Sequence, residues 1–197
     1  MNVRTSALGL VLLLLVACSS SPPPADVVYP PAPASSPDKV VWYNLPGGLS
    51  VTIEASPDVN FANGQAHAVN ICVMQTQVKD PLVNLASSSQ GIVDLLQCKT
   101  KAPDIISADA YSLQPGEEKF VTADRKEGAR FVAVVAGYDE LAPEKSFAIV
   151  PFPLAQDSQR SGFLFTSKEY TYAAAPMDLY IQLGNTAMEA KGETRGE

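Results

Sequence analysis

Leu49, Val51, Ile53 and Ala55 alternate with Ser50, Thr52 and Glu54. That period of two puts the apolar side chains on one face of an extended chain and the polar ones on the other, whereas a helix would scatter them around its circumference. The segment therefore reads as a strand with one dry face. Residues 68–78 repeat the pattern with Val69, Ile71 and Val73 on one face, and residues 131–138 are apolar on both faces, as a central strand covered on each side would be. Further strands are expected at 108–113, 119–123, 147–152 and 179–183, the last alternating Leu179, Ile181 and Leu183 against Tyr180 and Gln182. Pro46-Gly47-Gly48 reads as a turn before the first strand, and Gln114-Pro115-Gly116-Glu117 as the turn of a hairpin. One helical region lies within 80–98, where Ile92, Leu95 and Leu96 make a short apolar stripe after Ser89. About seven short strands with one inserted helix predict a mainly β chain, a two-sheet antiparallel sandwich over residues 39–188. No internal repeat is evident, and the polar stretch 189–197, with its two glycines, is expected to fray.

With 46% apolar and 18% charged residues in a chain of 197, one domain with a real core is expected. The 21 acidic against 14 basic residues give a net charge of −7, the wrong sign for neutralising phosphates, so nucleic acid is a poor partner. His67 is the sole histidine; it cannot complete a metal cluster or a nucleophile-base pair and is expected at the surface. Asp58, Asp94, Asp104, Asp109 and Asp124 are scattered over loops and strand ends, which reads as solvated charge rather than paired acid-base chemistry. A glycine-rich phosphate loop and a nucleophile elbow are both absent from the sequence. The chain reads as a non-enzyme without a cofactor.

Arg4 precedes an unbroken non-polar run at residues 7–17, which then meets Cys18. Eleven residues fall short of the roughly 20 needed to span a bilayer, so residues 1–17 are expected to be a signal peptide that is removed. Leu15-Val16-Ala17-Cys18 resembles the bacterial lipobox. That resemblance implies a covalent lipid on Cys18, which would become the first residue; an ordinary secretory signal leaving a free thiol is the alternative. Ser19 stands where an aspartate would resemble an inner-membrane retention signal, so a lipid anchor in the outer membrane, facing the periplasm, is favoured. Residues 19–38 hold seven of the 16 prolines and five serines. With Cys18 they are expected to form an extended tether, 18–38, with a reach on the order of 60 Å.

Cys72 and Cys98 are the thiols left after lipidation, and an exported chain meets an oxidising compartment. A disulfide between them is expected, closing a loop of about 27 residues and contributing roughly 3.5 kcal/mol in the chain-entropy model; two separate buried thiols are the alternative. Cys72 falls on the opposite face of its strand from Val69, Ile71 and Val73. Residues 56–67, SPDVNFANGQAH, are too many for a tight hairpin. A projecting loop of that length on a rigid sandwich is a natural place for binding residues. Phe61, flanked by Asn60 and Asn63, suits an anchor for a protein contact, or else folds back on the sandwich edge.

The succession of the lipobox, LSVTIEASPDVNFANGQAHAVNICVMQ, a helical insert, LQPGEEKFVTA, FVAVVAGYDEL, FAIVPFP and DLYIQLGNTAM resembles the TssJ (SciN-like) family of type VI secretion outer-membrane lipoproteins. The resemblance rests on order along nearly the whole mature domain rather than on one motif. It implies a transthyretin-like sandwich with added helices. It also implies binding of the periplasmic C-terminal domain of TssM, an inner-membrane protein that shares a complex with TssL. In that family the loop after the first strand makes the contact, which maps here to Asp58, Val59, Asn60, Phe61, Ala62, Asn63, Gly64, Gln65, Ala66 and His67. Cys72 and Met74 stand ahead of Gln75 where the family often shows an arginine and a tyrosine, and Gln65 rather than proline follows the loop glycine. A ligand-binding or inhibitor lipoprotein on the same sandwich is the competing reading.

Overall fold

A computed structural model describes residues 30–99, 104–161 and 167–195. Among these lie ten strands, three α-helices and a 3-10 turn at Pro37–Lys39: β1 Leu45–Ala55, β2 Val69–Thr76, α1 Asp80–Ala86, α2 Ser89–Leu96, β3 Ile105–Leu113, β4 Glu118–Arg125, β5 Phe131–Gly137, α3 Pro143–Ser146, β6 Phe147–Pro151, β7 Leu154–Ser161, β8 Ser167–Ala174, β9 Met177–Leu183 and β10 Met188–Thr194. One sheet has the order β10-β9-β1-β4, the other β3-β2-β5-β6, and β7 and β8 form a separate hairpin. The two-sheet sandwich expected from the alternation is thus present. Its pairings are antiparallel except for β1 with β9, which run parallel.

The inward positions read from the sequence meet between the sheets. Leu49, Val51 and Ile53 of β1 and Leu179 and Ile181 of β9 face Val69, Ile71 and Val73 of β2, and none is more than 4% exposed. Cys72 and Met74 of β2 point the other way, with Ala133 and Val135 of β5, into a second apolar layer closed by Leu82, Ile92 and Leu95 of the helices. β2 and β5 are therefore buried on both faces. This is why residues 131–138 carry no polar alternation. Cys72 and Cys98 are joined by a disulfide, with Cα atoms 5.5 Å apart, which ties the chain just after α2 to the outer side of β2.

Several boundaries differ from the sequence expectation, each for a physical reason. Pro46-Gly47-Gly48 lies inside β1 rather than ahead of it. The chain bulges there, because Gly47 takes φ 62° and the register against β4 slips between Leu45 and Leu49. The helical region is split in two. A Cβ on Gly91 would lie 1.7 Å from the Leu85 carbonyl oxygen, so glycine at that position lets α2 approach the end of α1. Ser88, not Ser89, caps α2, its Oγ accepting from Gly91 N at 3.1 Å.

The C-terminal stretch expected to fray is strand up to Thr194. Met188 pairs with Leu183 and Thr194 with Met177. Arg195 closes this edge, its Nε donating to Asp178 Oδ1 at 2.7 Å and Nη1 to Gly47 O at 2.9 Å, with a further bond to Ser50 Oγ. The folded body also reaches back to Pro30 instead of starting at Lys39. Ala34 and Tyr172 exchange both backbone bonds at 2.8 Å, so part of the presumed tether lies against β8.

Candidate functional site

Four connections meet at one end of the sandwich: 56–68 between β1 and β2, 114–117 between β3 and β4, 138–142 after β5, and 184–187 between β9 and β10. The first of these is the loop singled out in the sequence. It begins beside β9 and β4, with Ser56 N donating to Leu183 O at 2.9 Å and Gly116 N to Ser56 O at 3.2 Å.

The loop is pinned from within. Val59 is fully buried in the main core, and Asn60 is only 5% exposed at φ 47°. Asn60 Oδ1 accepts from Asp139 N at 2.8 Å, and its Nδ2 donates to Ala68 O at 3.4 Å, so one side chain bridges two connections. Phe61 N donates to Asn185 O at 3.2 Å, and Asn185 Nδ2 in turn donates to Asp58 Oδ2 at 3.1 Å. The Ser56 and Asn185 side chains hold the Asp58 carboxyl below the usual carboxylate range.

Beyond Phe61 the chain makes a small hairpin. Ala62 and Gln65 exchange backbone bonds at 2.9 and 3.1 Å across Asn63 and Gly64, whose φ angles of 52° and 86° are those of a type I′ turn. His67 Nε2 donates to Ala62 O at 3.1 Å, and His67 N to Val59 O at 3.2 Å, so this half-buried histidine braces the hairpin. The positions open to solvent are Asp58, Phe61, Asn63, Gly64 and Gln65, while Ala62, Ala66 and His67 are half-buried.

Phe61 is 47% exposed: one side rests on the protein and the other is open. It borders a cleft of about 240 Å³ that Tyr138, Asp139 and Glu140 and also Asn185 and Thr186 help to line. Tyr138 is buried beside the Gly184 backbone, and burial pushes its hydroxyl up to about 12. The 138–140 and 184–186 connections thus belong to the same surface as the loop. Sequence reasoning missed them because the bonds that gather them join residues far apart along the chain. One local sign was readable: Asn-Gly is the preferred pair for a type I′ turn. Cys18 lies outside the described residues.

No three or more His, Cys, Asp or Glu side chains come together as a metal site among the described residues. No described helix is long and apolar enough to cross a membrane.

Residues 48–174 match the family model for the type VI secretion lipoproteins VasD, EvfM and TssJ. The chain belongs to the type VI secretion lipoprotein family. Solved structures agree on the fold. The T6SS lipoprotein TssJ1 of Pseudomonas aeruginosa superposes with a TM-score of 0.55 at 18% identity, over 78% of this chain and 98% of that one. Lip of Serratia marcescens, a membrane-bound component of the type VI secretion system, gives 0.53 at 16%, over 73% and 96%. A chain in a structure described as the T6SS protein TssM C-terminal domain (869-1107) from EAEC gives 0.51 at 15%, over 75% and 97%. No curated protein matches. The TssJ-like sandwich and the type VI secretion envelope are therefore the setting in which the loop end is to be read.

Proposed function

We propose that the chain is a non-enzymatic assembly lipoprotein, held in the outer membrane by acyl chains on Cys18, that docks the periplasmic C-terminal domain of a TssM-like protein. That protein would share the inner-membrane complex with TssL. The observation that carries this reading is the division of labour in the loop: Val59 and Asn60 turn inward and fix its course, and Phe61 stands half out of the protein beside a cleft. An aromatic ring on a pinned loop offers contact area without the ordering cost that a free loop would add on binding. Family membership supports the secretion-system setting, and the lipobox and Ser19 support the membrane.

Because Val59 and Asn60 hold the fold, the fair test leaves them intact. Phe61→Ala is expected to lower stability by less than about 1 kcal/mol, since much of the ring is already wet. It is expected to weaken binding to the TssM-like domain at least tenfold, about 1.4 kcal/mol. Calorimetric titration and urea unfolding of the same preparations measure both. Unchanged affinity would move the contact away from the loop. The anchor is tested separately by Cys18→Ser, expected to leave an unlipidated, uncleaved precursor outside the outer-membrane fraction.

A further inference from the structure

The cleft beside Phe61 has a chemistry of its own. Asp139 and Glu140 are both exposed on its wall, and neither carboxylate takes part in any ion pair among the described residues. Neither Lys nor Arg lines the cleft. Asp139 is held in place all the same, because its backbone N–H is fixed on Asn60 Oδ1 at 2.8 Å and leaves its carboxylate free to face outward. The half-exposed Phe61 ring lines the same cleft, as does Tyr138, which is buried beside the Gly184 backbone. A half-exposed aromatic ring and two unpaired carboxylates around about 240 Å³ suit one kind of occupant. A long cationic side chain can lay its stem on the ring and place its charge against the carboxylates.

We infer that the cleft between Phe61 and Asp139-Glu140 receives an arginine or lysine side chain of the docked protein, so that the charge of this wall selects the partner. The inference rests on the docking reading above and adds the 138–140 connection to the contact. A planar guanidinium fits best, since it stacks on an aromatic face and pairs with a carboxylate at the same time. Attraction between exposed charges is screened over about 8 Å at physiological salt. Binding through this cleft must therefore weaken as salt rises, and that dependence must vanish with the carboxylates.

The test uses the mature lipoprotein in detergent, with the periplasmic C-terminal domain of the TssM-like protein from the same organism as probe. Titrations run at about 50 mM and about 500 mM salt. Asp139→Asn with Glu140→Gln keeps the backbone bond to Asn60 and removes only charge. It is expected to cost at least fivefold in affinity at low salt and to converge with the unaltered protein at high salt. Glu54→Gln with Glu189→Gln, on the outer face of the other sheet, is expected to change neither. If the cleft variant binds as tightly as the unaltered protein, or weakens while keeping the full salt dependence, the cation-in-cleft inference falls and docking by the loop stands. If the unaltered lipoprotein does not bind the probe at all, the docking reading falls and takes this inference with it.

Discussion

Asn60 fixes the loop end through three properties that a single residue rarely combines. It adopts φ 47°, its side-chain Oδ1 accepts from Asp139 N, and its Nδ2 donates to Ala68 O, all while 5% exposed. Asparagine tolerates the left-handed region better than most side chains, and a buried group that loses its partner leaves a backbone donor dry. Asn60→Ala is therefore expected to destabilise the protein by about 2 kcal/mol in urea unfolding and to loosen the 138–140 connection along with the loop. Asn60→Gly relieves only the backbone part and should recover a fraction of the loss. None of this was legible from the residues near Asn60, because its acceptor role is played 79 positions away. Arg125 is the same lesson at the other end of the sandwich. It is fully buried, lies 5.4 Å from the Trp42 ring and 5.1 Å from that of Tyr43, and donates to the carbonyls of Ala175 and Tyr43. In the sequence it stands between Asp124 and Lys126 and looks like surface.

Elements with one dry face were legible, and elements without one were not. β1 and β9 announce themselves through alternation because one face of each lines the main core, and β2 and β5, dry on both faces, through their apolar runs. β7 and β8 leave most of their residues exposed, so the pattern that marks a half-buried strand has no cause to arise there. β10 is hidden for a related reason: as an edge strand carrying Glu189, Lys191 and Glu193, it buries little beyond Met188. The helical insert was legible as helix but not as two. Its attachment to the sheet is covalent as well as apolar, since the disulfide spans 26 positions and brackets both helices. Cys72→Ala with Cys98→Ala is expected to lower stability by roughly 3.5 kcal/mol on the chain-entropy account. Hydrogen exchange should quicken in α1 and α2 well before β1 or β9 responds. Thiol counting on the denatured, exported protein checks the premise, and two titratable thiols beyond Cys18 would remove it.

For the whole molecule, the two ends of β1 divide the work. The segment 30–43 packs beside Ala173 and Ala174 and reaches Arg125 at the end where β1 begins, and the loop that follows β1 lies at the far end. A strand of 11 residues separates the two by about 35 Å at about 3.3 Å per residue. The Ala34–Tyr172 bridge fastens the near end. Ala34→Pro removes the N–H that Tyr172 O accepts, and is expected to speed exchange of the Tyr172 amide while leaving the melting transition within a few degrees. The same bridge also sets the length of the leash. On the proposed lipid anchor at Cys18, residues 19–29 are the span from that residue to Pro30, and 11 residues in any conformation reach at most about 40 Å. If the chain is anchored as proposed, a shorter leash would confine the loop end to a thinner shell beside the membrane. Because local concentration falls roughly as the three-halves power of linker length, a span of about 11 residues in place of the expected ~20 would, under the proposed docking, crowd the loop toward its partner about 2.5-fold. Releasing the Ala34–Tyr172 bridge would dilute that proposed encounter without touching a single atom of the 56–68 loop.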